Sequence, residues 1–291
     1  MTDTVAAALP ACLCIRVPDP LACQHPRGRT LGGRFHQHPY FALVTTAREA
    51  TASRPGWRLI GVESVEHRSK VTFHLTQTSF QYLSVKTGSL QSGLGPWELL
   101  NAKEMEVDPH RVAYQTHGIR LRYDTPDGEA TYGPDSIEVD AEGVLAATEV
   151  KASQSYFAEP EYASLMRLAE RDLPTVGIRF IKRTGDEMTA VERRRRVYNI
   201  NRAFDDRFSR FDARQLAAAA DLFAAEGPEV PLGRMGEAMG LHPSSALQVI
   251  NALMCTRHLA YDLDEFVCPD TALRAVPPAK TPRHDFRAFG R

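Results

Sequence analysis

The sequence has no apolar run near the roughly 20 residues that a membrane-spanning helix needs. Its N-terminus carries Asp3 and no basic stretch before the apolar residues at 6–9, which is not typical of a secretory signal. The five cysteines are odd in number and scattered, which argues against a disulfide framework. These absences favour a cytoplasmic protein, and 291 residues with 43% hydrophobic side chains suffice for two separate cores.

The sequence also lacks a strong net charge: the formal value is −1, which argues neither for nor against nucleic acid as a partner. The charge is unevenly distributed, however. Residues 179–214 contain eleven Lys or Arg and six Asp or Glu, and four consecutive arginines lie at 193–196. A solvated helix face and a phosphate-binding strip both explain such a segment, and the sequence leaves both open.

Residues 1–55 show little periodicity and are predicted to form an N-terminal arm. They contain four side chains that can bind zinc: Cys12, Cys14, Cys23 and His25. The spacing of these residues is not a common zinc-knuckle pattern, and two prolines interrupt it. A loosely packed arm without zinc is therefore the alternative.

Residues 56–208 show strand patterns first and then alternating helix and strand patterns. Strands are predicted at 57–65, 70–77, 80–85, 111–124, 130–140, 144–152 and 177–184, and helices at 98–105, 161–173 and 187–208. The turn sequences TPDGE and DAEG join the strands at 111–124, 130–140 and 144–152 into a meander. This order predicts an α/β (α+β) domain in which helices flank a mixed sheet.

The pattern changes after residue 208. An Ala-rich helix at 212–226 ends at Gly227, and two further helices at 231–240 and 243–257 are typical of helix-turn-helix. A hairpin at 257–269 completes the plan of a winged-helix domain, which we predict over 209–270. Residues 271–291 are predicted to be a disordered basic tail.

The second helix of this pair would face a DNA major groove in a winged helix. Its predicted outward residues are polar hydrogen-bonders: Ser244, Ser245, Gln248 and Asn251. No basic stripe precedes Arg257, and contacts with the phosphate backbone supply most of the affinity for DNA. Binding to DNA and docking to a protein therefore remain equally open for this unit.

The most informative motif combines two carboxylates and a lysine on adjacent predicted strands. Asp135 lies on one strand, and Glu149 and Lys151 lie two residues apart on the next, so the last two project to one face. The short turn between the strands can place Asp135 beside them. Phosphodiester hydrolysis uses such a set: two carboxylates hold Mg²⁺ or Mn²⁺, which withdraws charge from the scissile phosphate, and the ammonium stabilises the developing charge.

The same residues also have explanations without catalysis. Glu149 and Lys151 can form a surface cross-strand pair, although the apolar residues around them favour burial. Glu98 opens a predicted helix and can add a carboxylate to the cation site. Its alternative role is that of a first-turn glutamate favoured by the helix dipole.

The spacing of these motifs resembles that of the TnsA-type transposon endonucleases, which belong to the restriction-endonuclease-like PD-(D/E)xK superfamily. The resemblance covers residues 80–270 and leaves out the first 75. It rests on residues 98–109, Val112, Tyr114-Gln115, Tyr132-x-Pro134-Asp135, Glu149-Val150-Lys151 and the segment 165–184.

The resemblance implies a nuclease domain over residues 56–208, with Asp135 and Glu149 as metal ligands, Glu98 assisting the metal site and Lys151 as the catalytic lysine. It further implies a protein of the nucleoid that cuts double-stranded DNA at transposon ends beside a DDE transposase and an AAA+ regulator. A stand-alone restriction or repair nuclease and a non-catalytic DNA-binding or assembly protein remain the alternatives.

Overall fold

The protein has a mixed α+β fold, seen in a computed structural model that describes residues 52–54, 56–61, 78–126 and 128–280. Its strands are β1 (Ala52–Arg54), β2 (Trp57–Gly61), β3 (Ser79–Leu83), β4 (Leu90–Leu94), β5 (Arg111–Thr116), β6 (Ile119–Thr125), β7 (Gly128–Tyr132), β8 (Ser136–Asp140), β9 (Leu145–Lys151), β10 (Ile178–Thr184), β11 (Glu229–Pro231), β12 (Leu259–Ala260) and β13 (Ala272–Ala275). Its α-helices are α1 (Gly95–Val107), α2 (Pro160–Asp172), α3 (Gly185–Met188), α4 (Arg194–Asp206), α5 (Ala213–Glu226), α6 (Leu232–Ala238) and α7 (Pro243–Cys255). The predicted α/β (α+β) class is confirmed.

A four-stranded sheet with the order β10-β9-β8-β5 carries the carboxylate and lysine motif. Strand β8 is antiparallel to both β5 and β9, whereas β10 runs parallel to β9. Parallel pairing needs a crossover connection, and α2 lies in it between β9 and β10. Every residue of β9 except the terminal Lys151 is buried, as expected of a strand that is covered on both faces.

A second four-stranded sheet has the order β1-β2-β6-β7. Two of its strands, β6 and β7, come from the part of the chain that was predicted to form the meander. The chain leaves the sheet β10-β9-β8-β5, called the central sheet below, at His117, whose φ of 50° is incompatible with an extended strand. It returns through residues 133–135, where Pro134 has no N–H to give to a ladder. The predicted strands at 111–124 and 130–140 are therefore two strands each, and the three-stranded meander was wrong.

Helix α1 confirms the predicted helix at 98–105 and extends it at both ends. Pro96 lies in its first turn, where a missing N–H is not needed. Gly95 has a φ of 82°, a left-handed conformation that lets the chain turn from β4 directly into the helix. Because Leu100 and Met105 of α1 are buried in the core, the position of the first turn of the helix is firmly set.

A buried polar network attaches α1 to residues 84–85 and to β5. Glu106 is fully buried, and its carboxylate accepts hydrogen bonds from Ser84 Oγ at 2.5 Å, from the hydroxyl of Tyr114 at 2.6 Å and from Val85 N at 2.7 Å. A buried carboxylate is tolerated only when its oxygens are satisfied in this way. Tyr82 extends the network, since its hydroxyl lies 2.7 Å from that of Tyr114.

The C-terminal elements pack onto the same core as α1 and α4. Helices α6 and α7 follow each other as predicted, and a small antiparallel sheet has the order β11-β13-β12. The predicted hairpin at 257–269 lies further along the chain, because β12 pairs with β13 across a long loop at 261–271. The prediction of a disordered tail from residue 271 was therefore wrong for residues 272–275, which form β13 with Leu273 fully buried. One hydrophobic cluster contains Leu100, Phe204 and Leu253, so residues from both sides of the predicted boundary at 208 share it. That boundary stays a prediction.

The predicted helix at 187–208 is made of α3, a 3₁₀ turn (Val191–Arg193) and α4. The proposed zinc ligands at 12–25, the predicted strand at 70–77 and the last eleven residues of the predicted tail lie outside the described residues. In the part of the chain that the structure describes, no helix has the length and apolar character to cross a membrane.

Candidate active site

The candidate site lies where β8 begins and β9 ends. Ser136 pairs with Thr148 across these antiparallel strands, so Asp135, one residue before β8, lies close to Glu149. Asp135 is anchored at both its side chain and its backbone. Its Oδ2 accepts a hydrogen bond from Val150 N at 2.7 Å, and its carbonyl oxygen accepts one from His117 N at 2.8 Å.

Glu149 and Lys151 project to one side of β9 and form an ion pair. Nζ of Lys151 lies 2.5 Å from Oε1 of Glu149. The other carboxylate oxygen, Oε2, accepts a hydrogen bond of 2.7 Å from the hydroxyl of Tyr132. Glu149 is buried, so these two partners satisfy a charge that would otherwise be costly. The sequence-based expectation of burial for Glu149 is thereby confirmed.

Lys151 also faces the ring of Tyr162 on α2, with Nζ 5.4 Å from the ring centroid. This distance is within the range of a cation–π interaction. The lysine is partly exposed and Tyr162 is exposed, so both face the open side of the site. The ammonium is accordingly held between a carboxylate and an aromatic ring while remaining accessible to a ligand.

Glu98 enters the site from the first turn of α1. Its Oε2 accepts a hydrogen bond from Leu94 N at 3.0 Å and lies 3.3 Å from Nε2 of His117. The neighbouring strand β4 passes very close: a Cβ atom built on Gly93 would lie 2.6 Å from Glu98 Oε2. The first-turn role and the site role described for Glu98 are compatible, because the oxygen that accepts from Leu94 N also lies beside His117.

His117 is the residue that sequence reasoning missed. Glu98, His117 and Asp135 each offer one ligand atom, and these atoms all lie within 4.8 Å of one another. Among the described residues, Glu149 is not part of this group. Its two oxygens contact Tyr132 and Lys151 instead. The role of Glu149 as a metal ligand stays a prediction. His117 carried no sequence signal of this role, because residues 111–124 were predicted to form one unbroken strand.

The electrostatics of the site disfavour the charge on Asp135. Burial raises its pKa well above the ordinary value, and the neighbouring Glu149 and Glu98 carboxylates raise it further, against the opposing effects of Lys151 and of the Val150 hydrogen bond. The repulsion between clustered carboxylates of this kind is reduced when a cation binds among them. The site therefore has the charge imbalance expected of a cation-binding centre.

Lys151 and Tyr132 both remain protonated at neutral pH. Burial lowers the pKa of Lys151, but Glu149 and Asp135 outweigh it and leave the pKa raised above its ordinary value. Burial and the Glu149 carboxylate raise the pKa of Tyr132, so its hydroxyl keeps the proton that it donates. Lys151 is consequently suited to stabilise negative charge and unsuited to act as a general base.

No family model matches the chain, and no match was found among curated proteins. A function is therefore inferred from the geometry of the site. That geometry combines a carboxylate and histidine group, a buried glutamate and a charged lysine at the place where β8 begins and β9 ends.

One predicted binding residue is in a different place from that expected. Asn251 of α7 is fully buried, where its Nδ2 donates to Asp206 Oδ2 and its Oδ1 accepts from Tyr261, both at 2.8 Å. Its assignment to the outward face was wrong, because the helix turns that face towards α4. Ser244 and Gln248 are exposed, and the His242 side chain caps the helix by accepting a hydrogen bond from Ser244 N.

Proposed function

We propose that the protein is a metal-dependent DNA endonuclease, acting as the cutting subunit of a heteromeric transposase at transposon ends. The observation that carries the proposal is the convergence of Asp135, Glu149 and Lys151 with Glu98 where β8 begins and β9 ends. These residues come from the first turn of α1, the start of β8 and the end of β9, and their shared position is what hydrolysis of a phosphodiester requires.

The donor atoms fit a divalent cation. Glu98 and Asp135 supply carboxylate oxygens, the ligands that Mg²⁺ and Mn²⁺ prefer, and His117 supplies an imidazole nitrogen within reach of both. A cation held there would polarise the scissile phosphate and make an attacking water more acidic. Glu149, buried beside this group, would join the ligand set by turning an oxygen away from Tyr132 or Lys151.

The chain's own residues have distinct tasks in this proposal. Lys151 places a fixed positive charge where the phosphate gains negative charge. Glu149 orients Lys151 through their ion pair, and Tyr132 holds Glu149 by a hydrogen bond from the opposite side. Asp135 is kept in position by Val150 N, so its carboxylate is preorganised before a ligand arrives.

The architecture supports the same proposal at a coarser level. A mixed sheet whose central antiparallel strands carry the acidic residues is compatible with a restriction-endonuclease-like domain. The helices α6 and α7, followed by pairing of β12 with β13, are compatible with a winged helix. The DDE transposase and the AAA+ regulator enter as partners through the sequence resemblance alone.

A plasmid-nicking assay tests the proposal. Wild-type protein should relax supercoiled DNA with Mg²⁺ or Mn²⁺ and not with EDTA, and Asp135→Ala or Lys151→Ala should lower the rate by at least about 100-fold. The matched controls are Glu170→Gln and Lys182→Ala, which alter an exposed ion pair on α2 and β10 and should leave the rate unchanged.

The assay is run with the protein alone and with the transposase and regulator from the same genomic neighbourhood. Activity of the protein alone would support a stand-alone nuclease of the same superfamily, and activity only in the mixture would support the transposase subunit. Equal rates for wild type and Asp135→Ala in both settings would reject the nuclease and leave a non-catalytic assembly protein.

A further inference from the structure

A groove of about 690 Å³ lies between the N-terminal part of α4 and the loop at 261–271. We call it the α4 groove. Its walls include Arg194, Arg195, Tyr198 and Arg202 from the helix and Phe266 from the loop. The groove belongs to the basic segment for which the sequence left two roles open, a solvated helix face and a phosphate-binding strip.

The loop wall of the groove is firmly attached to α4. Asn199 is buried, and its Nδ2 donates hydrogen bonds to the carbonyl oxygens of Leu263 at 2.8 Å and Glu265 at 2.9 Å. Arg196 adds an ion pair of 3.0 Å with Asp264. The groove therefore exists before any ligand binds, which lowers the conformational entropy lost on binding.

The groove presents aromatic rings beside uncompensated positive charge. Tyr198 is 62% exposed and Phe266 is 70% exposed, both unusual for large apolar side chains. Arg194, Arg195 and Arg202 are exposed, and none of them forms an ion pair with a residue in the described ranges. Two acidic residues also line the groove, Glu192 and Asp264, but Asp264 is already paired with Arg196.

The groove is connected to the candidate active site through two elements. Lys151 pairs with Thr184 at the end of β10, and the chain continues from there through α3 into α4. Glu104 of α1, which lies about 9 Å along the helix from Glu98, contacts Arg196, and Arg196 pairs with Asp264 of the groove wall. The groove and the candidate site are therefore connected through α1 and through the segment 184–194.

We propose that the α4 groove binds unpaired nucleotides of the DNA that flanks the scissile phosphate, an inference that rests on the proposed nuclease function. Arginines on a helix suit successive phosphates, and Tyr198 and Phe266 suit stacking on bases. The bases of an intact duplex do not expose their faces for stacking, so the rings favour a frayed or single strand. An acidic peptide is the competing occupant, and the test separates the two.

The test measures binding of the full-length protein to a fluorescent oligothymidylate by anisotropy, in EDTA, so that no cleavage enters the result. Tyr198→Ala and Phe266→Ala should each weaken binding about fivefold or more. The double variant Arg194→Ala/Arg195→Ala should reduce the slope of log Kd against log salt by about 1.4. A hairpin duplex with the same number of phosphates should bind with little dependence on Tyr198.

Matched controls lie beyond the opposite end of α4. Arg210→Ala/Arg214→Ala removes the same charge from exposed positions outside the groove, and Phe208→Ala removes an aromatic ring that is 47% exposed. These variants should keep wild-type affinity, and thermal melting should show that every variant folds.

Two results would overturn the proposal: unchanged affinity in Tyr198→Ala and Phe266→Ala, which would favour a peptide as occupant, or equal losses in the groove and control variants. Because binding is measured without a divalent cation, failure of the nuclease proposal in the nicking assay would not alter the reading of this result.

Discussion

Lys151 and Glu149 form an ion pair of 2.5 Å on one side of β9, and the pair lies directly beside the Asp135 carboxylate. The lysine is thereby kept charged at the position where an anionic ligand would meet the clustered acids. A buried glutamate that is bonded to both a lysine and a tyrosine is expensive to maintain for stability alone, since apolar residues would pack as well. This cost is one reason for the proposal that the pair takes part in binding or catalysis.

Asp135→Asn should stabilise the metal-free protein at neutral pH. Burial and the Glu149 and Glu98 carboxylates raise the pKa of Asp135, so the unfolded chain releases this proton at lower pH than the folded chain. Stability therefore falls as pH rises from about 4 towards the raised pKa, and the loss is complete above it. In EDTA at pH 7 the variant should melt roughly 2–4 °C or more above wild type.

At pH 4 the two melting temperatures should converge, because Asp135 is protonated in the folded protein. Addition of Mn²⁺ should raise the melting temperature of wild type and leave that of the variant nearly unchanged. A variant that melts below wild type at pH 7 in EDTA would contradict the assignment of Asp135 to an electrostatically strained cluster.

His117→Ala should weaken Mn²⁺ binding more than Mg²⁺ binding. An imidazole nitrogen of His117 lies within 4.8 Å of a Glu98 oxygen and of an Asp135 oxygen, and nitrogen ligands suit Mn²⁺ better than Mg²⁺. Calorimetric titration should show a loss of at least about tenfold for Mn²⁺. His110→Ala, at an exposed position, is the control. Equal losses for both cations would mean that His117 shapes the site without acting as a ligand.

Tyr132→Phe should lower the nicking rate by about tenfold while the protein stays folded. The variant removes the 2.7 Å hydrogen bond to Glu149, and a hydrogen bond to a charged group contributes about 1.5–3 kcal/mol. The matched control is Tyr123→Phe, because the buried Tyr123 hydroxyl has no hydrogen-bond partner among the described residues. Similar rates in both variants would show that Tyr132 does not position Glu149.

Glu104→Gln should lower the free energy of unfolding by about 3 kcal/mol at neutral pH. Glu104 is buried and lies 2.5 Å from Arg183, 2.7 Å from Arg196 and 3.3 Å from Arg193. Burial alone would raise its pKa, but the arginines lower it below the ordinary value. The stabilisation is therefore present above the unfolded pKa of about 4 and is lost as pH falls through the folded value.

Glu129→Gln is the control for this prediction, because Glu129 also contacts two arginines, Arg58 and Arg122, but on the surface. Chemical denaturation should show a change below about 1 kcal/mol for that exposed site. Comparable losses at Glu104 and Glu129 would mean that the Glu104 cluster is screened by solvent and does not hold α1 against α4.

The sequence alone determined the parts of the site that depend on local geometry. Asp135, Glu149 and Lys151 could be placed together because alternation along a strand and a four-residue turn restrict which side chains meet. Helix α1 was predictable for the same reason, since Pro96 and the residues that follow it specify a helix start. Such features depend on neighbours within a few residues.

Only the tertiary structure decided which distant residues complete the site. His117 reaches Glu98 because the chain leaves the central sheet at a left-handed residue, and Asn251 is buried because α7 turns that face towards α4. The α4 groove likewise depends on hydrogen bonds between Asn199 and a loop more than 60 residues away. The packing of separate elements sets these contacts, and no spacing along the chain encodes them.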